Sequence, residues 1–201
     1  MNIRICGTGS ALPERKITND DLSQIMDTSD EWISSRTGIK TRHLATEETT
    51  TSLATEAAKK ALADADMKPE EVELIIAATV TPDHLVPTLS CEVQREIGAV
   101  NAVAFDLGAA CSGFLFALST AQAYIASGRF KNTLLIGAEV LSKIMDWNDR
   151  STCVLFGDGA GAAVVRADEE NICHVVQDWY WHVRTVRSII HIIRWKVRWV
   201  M

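Results

Sequence analysis

The sequence predicts an α/β fold built on a largely parallel sheet, and three observations carry that expectation. Apolar runs of strand length recur at 72–80 (VELIIAATV), 102–107 (AVAFDL) and 133–140 (TLLIGAEV), too uniformly apolar for a sheet with one wet face. Segments of helical character stand between them. Glycine or proline punctuates the junctions, as at Pro69, Gly98 and Gly128. Alternation of this kind places helices over a buried sheet.

Each element follows in order. NIRICG (2–7) reads as a short strand ended by the glycine-rich GTGS, and 18–32 as short helices and loop in a polar, acidic stretch. From Thr49, TTTSLATEAAKKALADAD carries apolar residues at 53, 57, 58, 61 and 62 against charges at 56, 59 and 60, a helical stripe entered through Thr/Ser caps. Pro82 and Pro87 bracket a loop with His84, and CEVQREIG is a short helix stopped by Gly98. After AVAFDL comes the small-residue turn GAACSG, then FLFALSTAQAYIASG as a helix. Following TLLIGAEV, SKIMDWNDRST is a polar loop and VLFGDGAGAAVV two short strands or a hairpin around glycines. The helix after Cys111 is apolar nearly all round (Phe114, Leu115, Phe116, Leu118, Tyr124, Ile125), so it calls for burial on more than one side. A helix between two sheets would satisfy it, whereas this chain supplies strands for one.

Composition narrows the function. With 47% apolar and 23% charged residues among 201, the expectation is a soluble globular domain. A net charge of −6 argues against nucleic acid or an anionic membrane as partner. Neither a secretory leader nor a membrane-length apolar run is visible. Five cysteines (6, 91, 111, 153, 173) without a CxxC pair argue against a metal knuckle or disulfide framework, so a cytoplasmic protein with free thiols is expected.

From Asn171 the composition changes. Residues 171–201 lack Ala, Gly, Leu and Pro, and hold four of the six tryptophans and five of the twenty Lys/Arg. The chain therefore divides into 1–170 and a basic, Trp/Ile-rich tail. A frameshifted ending explains that tail best. A basic amphipathic helix on a membrane surface and a β-rich, aggregation-prone end are the alternatives.

Cys111 is the candidate nucleophile. It stands at a sharp strand-to-helix junction, where helix N–H groups point outward and favour the thiolate. Gly108, Ala109, Ala110 and Gly113 leave room for a tight turn and a close substrate. The competing reading is a small buried hydrophobe. The GxGxxA spacing at Gly157, Gly159 and Ala162 mimics a dinucleotide fingerprint, but strand-like AAVV follows it, so NAD binding is rejected.

DLGAACSGF around Cys111, DTSDEWISSRTGIKTRH (27–43) and WNDRSTCVLFGDGAGAAVV (147–165) occur in one order at compatible spacing. Together they resemble the β-ketoacyl-ACP synthase III family over residues 1 to about 170. The resemblance implies a thiolase-like fold, present as one βαβαβαββ half with a mostly parallel five-stranded sheet and the second half missing. It implies an acyltransferase that starts fatty-acid synthesis. Cys111 takes an acyl group from acyl-CoA, typically acetyl, and malonyl-ACP then condenses with it to give 3-oxoacyl-ACP. The Cys111 N–H becomes an oxyanion donor. Trp32 and Arg150 flank the CoA adenine, Thr28 hydrogen-bonds nearby, and Arg36 lies in the phosphate- or ACP-facing region. Read without the resemblance, Trp32 is a half-buried aromatic and the arginines are solvated. Val86 stands where many relatives carry Phe, in a loop reaching a partner's acyl pocket, where the smaller side chain leaves room for a longer or branched primer. His84 is read as solvated or structural. No cofactor or metal is called for, and the family is homodimeric.

The family's HQAN-like and GNTSAAS-like segments, which supply a decarboxylating histidine and asparagine, are absent, and His174, His182 and His191 match neither. The expectation is therefore a chain impaired in condensation. A non-catalytic fragment or acyl-binding remnant is the alternative.

Overall fold

The computed structural model describes residues 2–168, so the tail and its histidines lie outside the described residues. Five strands, β1 (Asn2–Ala11), β4 (Leu74–Ala78), β5 (Val103–Leu107), β6 (Asn132–Glu139) and β7 (Gly159–Asp168), form one sheet in the order β1-β7-β6-β4-β5. β4 pairs in parallel with β5 and β6, and β7 is antiparallel to both its neighbours. Four strands therefore run one way and β7 alone opposes them. Helices α3 (Thr50–Asp64), α4 (Leu89–Ile97) and α5 (Gly113–Ala126) complete the βαβαβαββ order. A smaller layer, strands β2 (Lys16–Thr18) and β3 (Thr41–His43) with helices α1 (Asn19–Ser23), α2 (Asp30–Thr37) and α6 (Arg150–Cys153), packs as a separate unit.

Strand periodicity sorts the core. Ile75, Ala77, Leu134 and Ile136 face α3 and α4, whereas Leu74, Ile76 and Leu135 face Ala117, Ala121 and Ile125 of α5. Full burial of one such aliphatic side chain stabilises the fold by about 1.5–3 kcal/mol. β1 lies directly under α3, because a Cβ on Gly9 would stand 2.2 Å from the Ala57 carbonyl oxygen. Glycine on the strand permits that approach, since a side chain there would meet helix backbone.

Several local expectations are corrected. β1 runs on through the glycines to Ala11, with an irregularity between Ile5 and Gly7. From Gly159 onward the VLFGDGAGAAVV segment is one long strand, β7, rather than a hairpin, because Ala160, Ala162, Val164 and their neighbours pair along both edges. The loop before it holds a 3-10 turn (Leu141–Lys143) and α6. β5 is an edge strand, half-exposed rather than buried, with Val103 51% exposed. No described helix is long and apolar enough to cross a membrane.

α5 meets the sheet on one side only. Its opposite face, with Phe116 (55% exposed) and Tyr124 (37%), lines an open groove of about 540 Å³ with Ser119, Thr120, Ala123 and Ser127. The all-round apolarity of this helix is therefore unmatched by the described residues.

Candidate active site

Topology brings the connections that carry the candidate residues to one rim. β1, β4, β5 and β6 end at Ala11, Ala78, Leu107 and Glu139 on the same side of the sheet, and reversed β7 starts there. The segments carrying Thr28, Trp32 and Arg36, then Val86, Cys111 and Arg150, all leave from or return to that rim. Open α/β sheets bind ligands along this edge.

Cys111 is exposed, which removes the reading of a buried small hydrophobe. It sits inside a 3-10 turn (Ala110–Ser112) ahead of α5, not in the first turn of the α-helix itself. Ala110 is held at φ 46°, a left-handed value uncommon for a residue with a Cβ. The turn is closed by the Ser112 N–H and Oγ, both donating to the Ala109 carbonyl (3.2 and 2.9 Å). A Cβ on Gly113 would approach the Ala78 Cβ to 2.9 Å, so α5 starts hard against the end of β4.

Trp32 and Arg150, expected as partners, do meet. The Arg150 Cζ lies 5.2 Å and the Arg36 Cζ 4.5 Å from the Trp32 ring centroid, both in cation–π range. A base between Trp32 and Arg150 needs about 7 Å, twice a carbon contact distance, so the Arg150 side chain must swing out to admit one. Besides that ring contact its hydrogen bonds among the described residues go to Asp27, through the main-chain oxygen (2.5 Å) and Oδ2 (3.3 Å) of an exposed residue. The Thr28 Oγ1 is buried without a hydrogen-bond partner among the described residues.

Val86 is 85% exposed and Leu85 88%, at the tip of the loop after β4. His84 is structural, since its Nδ1 stands 2.7 Å from Oε1 of the buried Glu92, which also accepts from the Thr51 hydroxyl (2.6 Å). Gly157 and Gly159 lead into β7, as the rejection of a dinucleotide fold requires.

Sequence reasoning passed over a polar network beneath Trp32. Buried Arg42 donates from Nη2 to the Asn19 Oδ1 (2.8 Å) and the Val154 carbonyl (3.2 Å), while its Nε and Nη1 have no partner among the described residues. Burial pushes its pKa down, opposed by Cys153. Asn19 donates to Asp30 Oδ1 (2.7 Å) and the Ile39 carbonyl (2.8 Å). Hydrogen bonds from Asn19, Lys40 and Ser34 hold the Asp30 carboxyl down to about 2. Arg42 lay inside the RTGIKTRH segment, but its burial is a tertiary fact with no local signal. Among the described residues no cluster of His, Cys, Asp and Glu suits a metal ion.

An α/β half-fold with an exposed thiol at its parallel rim is what a condensing enzyme presents, and comparisons with known proteins make that class specific. The family model for 3-oxoacyl-[acyl-carrier-protein (ACP)] synthase III matches residues 105–178. The β-ketoacyl-ACP synthase III of Clostridium acetobutylicum is 56% identical over 170 residues, 85% of this chain and 52% of the relative. That of Streptococcus pneumoniae is 60% identical over 159 residues, 79% of this chain and 49% of the relative. The crystal structure of the Aquifex aeolicus synthase III superposes with a TM-score of 0.83 at 56% identity, covering 84% of this chain and 55% of that one. The chain belongs, by sequence and fold, to the β-ketoacyl-ACP synthase III family, and it spans about half the length of the curated relatives it matches.

Proposed function

We propose that this chain is the nucleophile-bearing half of a β-ketoacyl-ACP synthase III, an acyltransferase whose Cys111 accepts an acyl group from acyl-CoA. The thiolate sulfur attacks the thioester carbonyl, the tetrahedral oxyanion is met by the Cys111 N–H, and collapse expels the CoA thiolate, which takes up a proton. Condensation with malonyl-ACP into 3-oxoacyl-ACP is the reaction of the whole enzyme. It needs no cofactor, since decarboxylation of malonyl-ACP generates the carbanion.

The observation that carries the proposal is the exposed Cys111 in its constrained turn at the rim. Trp32 and Arg150 are proposed to hold the CoA adenine after Arg150 swings aside, with Thr28 Oγ1 as a hydrogen-bonding group and Arg36 toward phosphate or ACP. An indole and a guanidinium are both flat enough to stack on a base. The Val86 loop is proposed to reach a second copy in a homodimer, where the small side chain leaves space for a longer or branched primer. The cytoplasm is the proposed compartment.

A second reading, a non-catalytic remnant that binds acyl groups, is favoured by the open apolar face of α5. Incubation with acetyl-CoA and intact-mass measurement separates the two. A 1:1 acetyl adduct lost in Cys111→Ala supports the enzyme reading, and no adduct on the parent chain refutes it.

A further inference from the structure

We infer that Arg42 and Asn19 are positioning residues that hold α2 and α6 in register so that Trp32 and Arg150 can grip a nucleotide. The inference rests on the proposed role of Trp32 and Arg150 in binding the CoA adenine.

An unbroken chain of hydrogen bonds joins the two helices. It starts at the Val154 carbonyl, the residue after α6, passes through Arg42 Nη2 and Asn19, and ends on Asp30, the first residue of α2. Trp32 lies two residues beyond Asp30 and Arg150 opens α6. The same Asn19 amide reaches the Ile39 carbonyl (2.8 Å) and Ser34 Oγ (3.3 Å), so both ends of α2 are tied to one side chain. Asn19 is 1% and Arg42 5% exposed. The apolar contacts around them, Ile17, Leu22, Ile33, Leu44, Cys153 and Val154, set distance but not rotation.

As a stabilising device alone the arrangement is poor. A buried guanidinium that among the described residues leaves two nitrogens unpartnered and forms no ion pair costs more than an apolar side chain of similar volume. What it supplies is direction. Its planar fork ties two specific groups, Asn19 Oδ1 and the Val154 carbonyl, in fixed relation. A stack between an indole and a guanidinium depends on just such an angular relation.

The test compares ligands that contain the nucleotide with one that lacks it. Calorimetry measures binding of CoA and of 3′-phosphoadenosine 5′-diphosphate, its nucleotide end. Intact mass follows acetylation of Cys111 by acetyl-pantetheine, which has no nucleotide. In Arg42→Met we expect Kd for both nucleotide ligands to rise roughly tenfold, the scale of one lost charge-assisted hydrogen bond, with acetyl-pantetheine transfer unchanged. Ser34→Ala, which trims the network without stranding a charge, is expected to move the same Kd values in the same direction by a smaller factor. It decides the matter if Arg42→Met does not fold. Parallel losses with all three ligands, or no change in nucleotide affinity, overturn the inference. A parent chain that binds neither nucleotide ligand, or a Trp32→Ala variant that binds as the parent does, instead removes the adenine assignment and the inference with it.

Discussion

Replacing Asp83 with Asn tests how the loop after β4 is held. Asp83 Oδ2 accepts from the Thr51 N–H (2.7 Å), and Oδ1 accepts from the Thr50 N–H (3.2 Å) and Lys143 Nζ (2.6 Å). Its side chain is 13% exposed, so the charge sits partly desolvated at the start of α3. Asparagine keeps the size and one acceptor but removes the charge and brings an NH2 toward existing donors. The lost charge–dipole interaction is about 0.3–2 kcal/mol. The Lys143 pair, half-exposed on the lysine side, adds about 0–1 kcal/mol. The expected loss is about 0.3–3 kcal/mol at pH 7 by urea denaturation. Burial acts to raise the Asp83 pKa, but Lys143, the Thr51 N–H and the Thr51 and Thr49 hydroxyls outweigh it and hold the carboxyl well below its usual range. A carboxyl lowered on folding stabilises above its unfolded pKa, about 3.9, and the benefit fades as pH falls below that. The gap between parent and Asp83→Asn must therefore shrink below about pH 4. A variant as stable as the parent at pH 7, or a gap independent of pH between 7 and 3, would refute the reasoning.

Other substitutions test the packing and the rim. Gly9→Ala forces a methyl into the Ala57 carbonyl and is expected to lower stability by about 1–3 kcal/mol in the same urea assay. Leu135→Ala, between the sheet and α5, should cost about 2–5 kcal/mol with the denaturant slope unchanged. Cys111→Ala should leave the unfolding midpoint within about 0.5 kcal/mol of the parent while abolishing the acetyl adduct, because the thiol is exposed. Phe116→Gln should reduce self-association in light scattering at constant stability, since that ring buries little in the folded chain.

The order of strands and helices was legible because uniformly apolar runs and a single amphipathic stripe leave few alternatives. The three-residue strands β2 and β3 were not, since no periodicity exists over three residues. β7 was misread because its glycines look like turn residues, whereas pairing on both sides, to β1 and β6, keeps the strand straight through them. Cys111 was legible from its small neighbours, yet the left-handed Ala110 beside it was not, because alanine carries no sign of that conformation. Trp32, Arg36 and Arg150 were picked out through family resemblance, and the structure brings all three together. Asn19 and Arg42 escaped because a polar residue in a polar stretch gives no hint of being buried.

The loop from Thr79 to Thr88 is tied down by side-chain hydrogen bonds on both sides of its tip. Glu139 accepts from the Val80 N–H and the Thr81 hydroxyl, Asp83 caps α3, His84 meets Glu92, and Asp106 of β5 accepts the Leu89 and Ser90 N–H groups (2.9 and 2.8 Å). Beside the exposed His84 ring, hydrocarbon projects from the tip at Leu85 and Val86. Such a finger is preorganised. A surface that closes over it gains the burial of two aliphatic side chains while immobilising little further backbone, the condition under which a small apolar contact yields useful affinity.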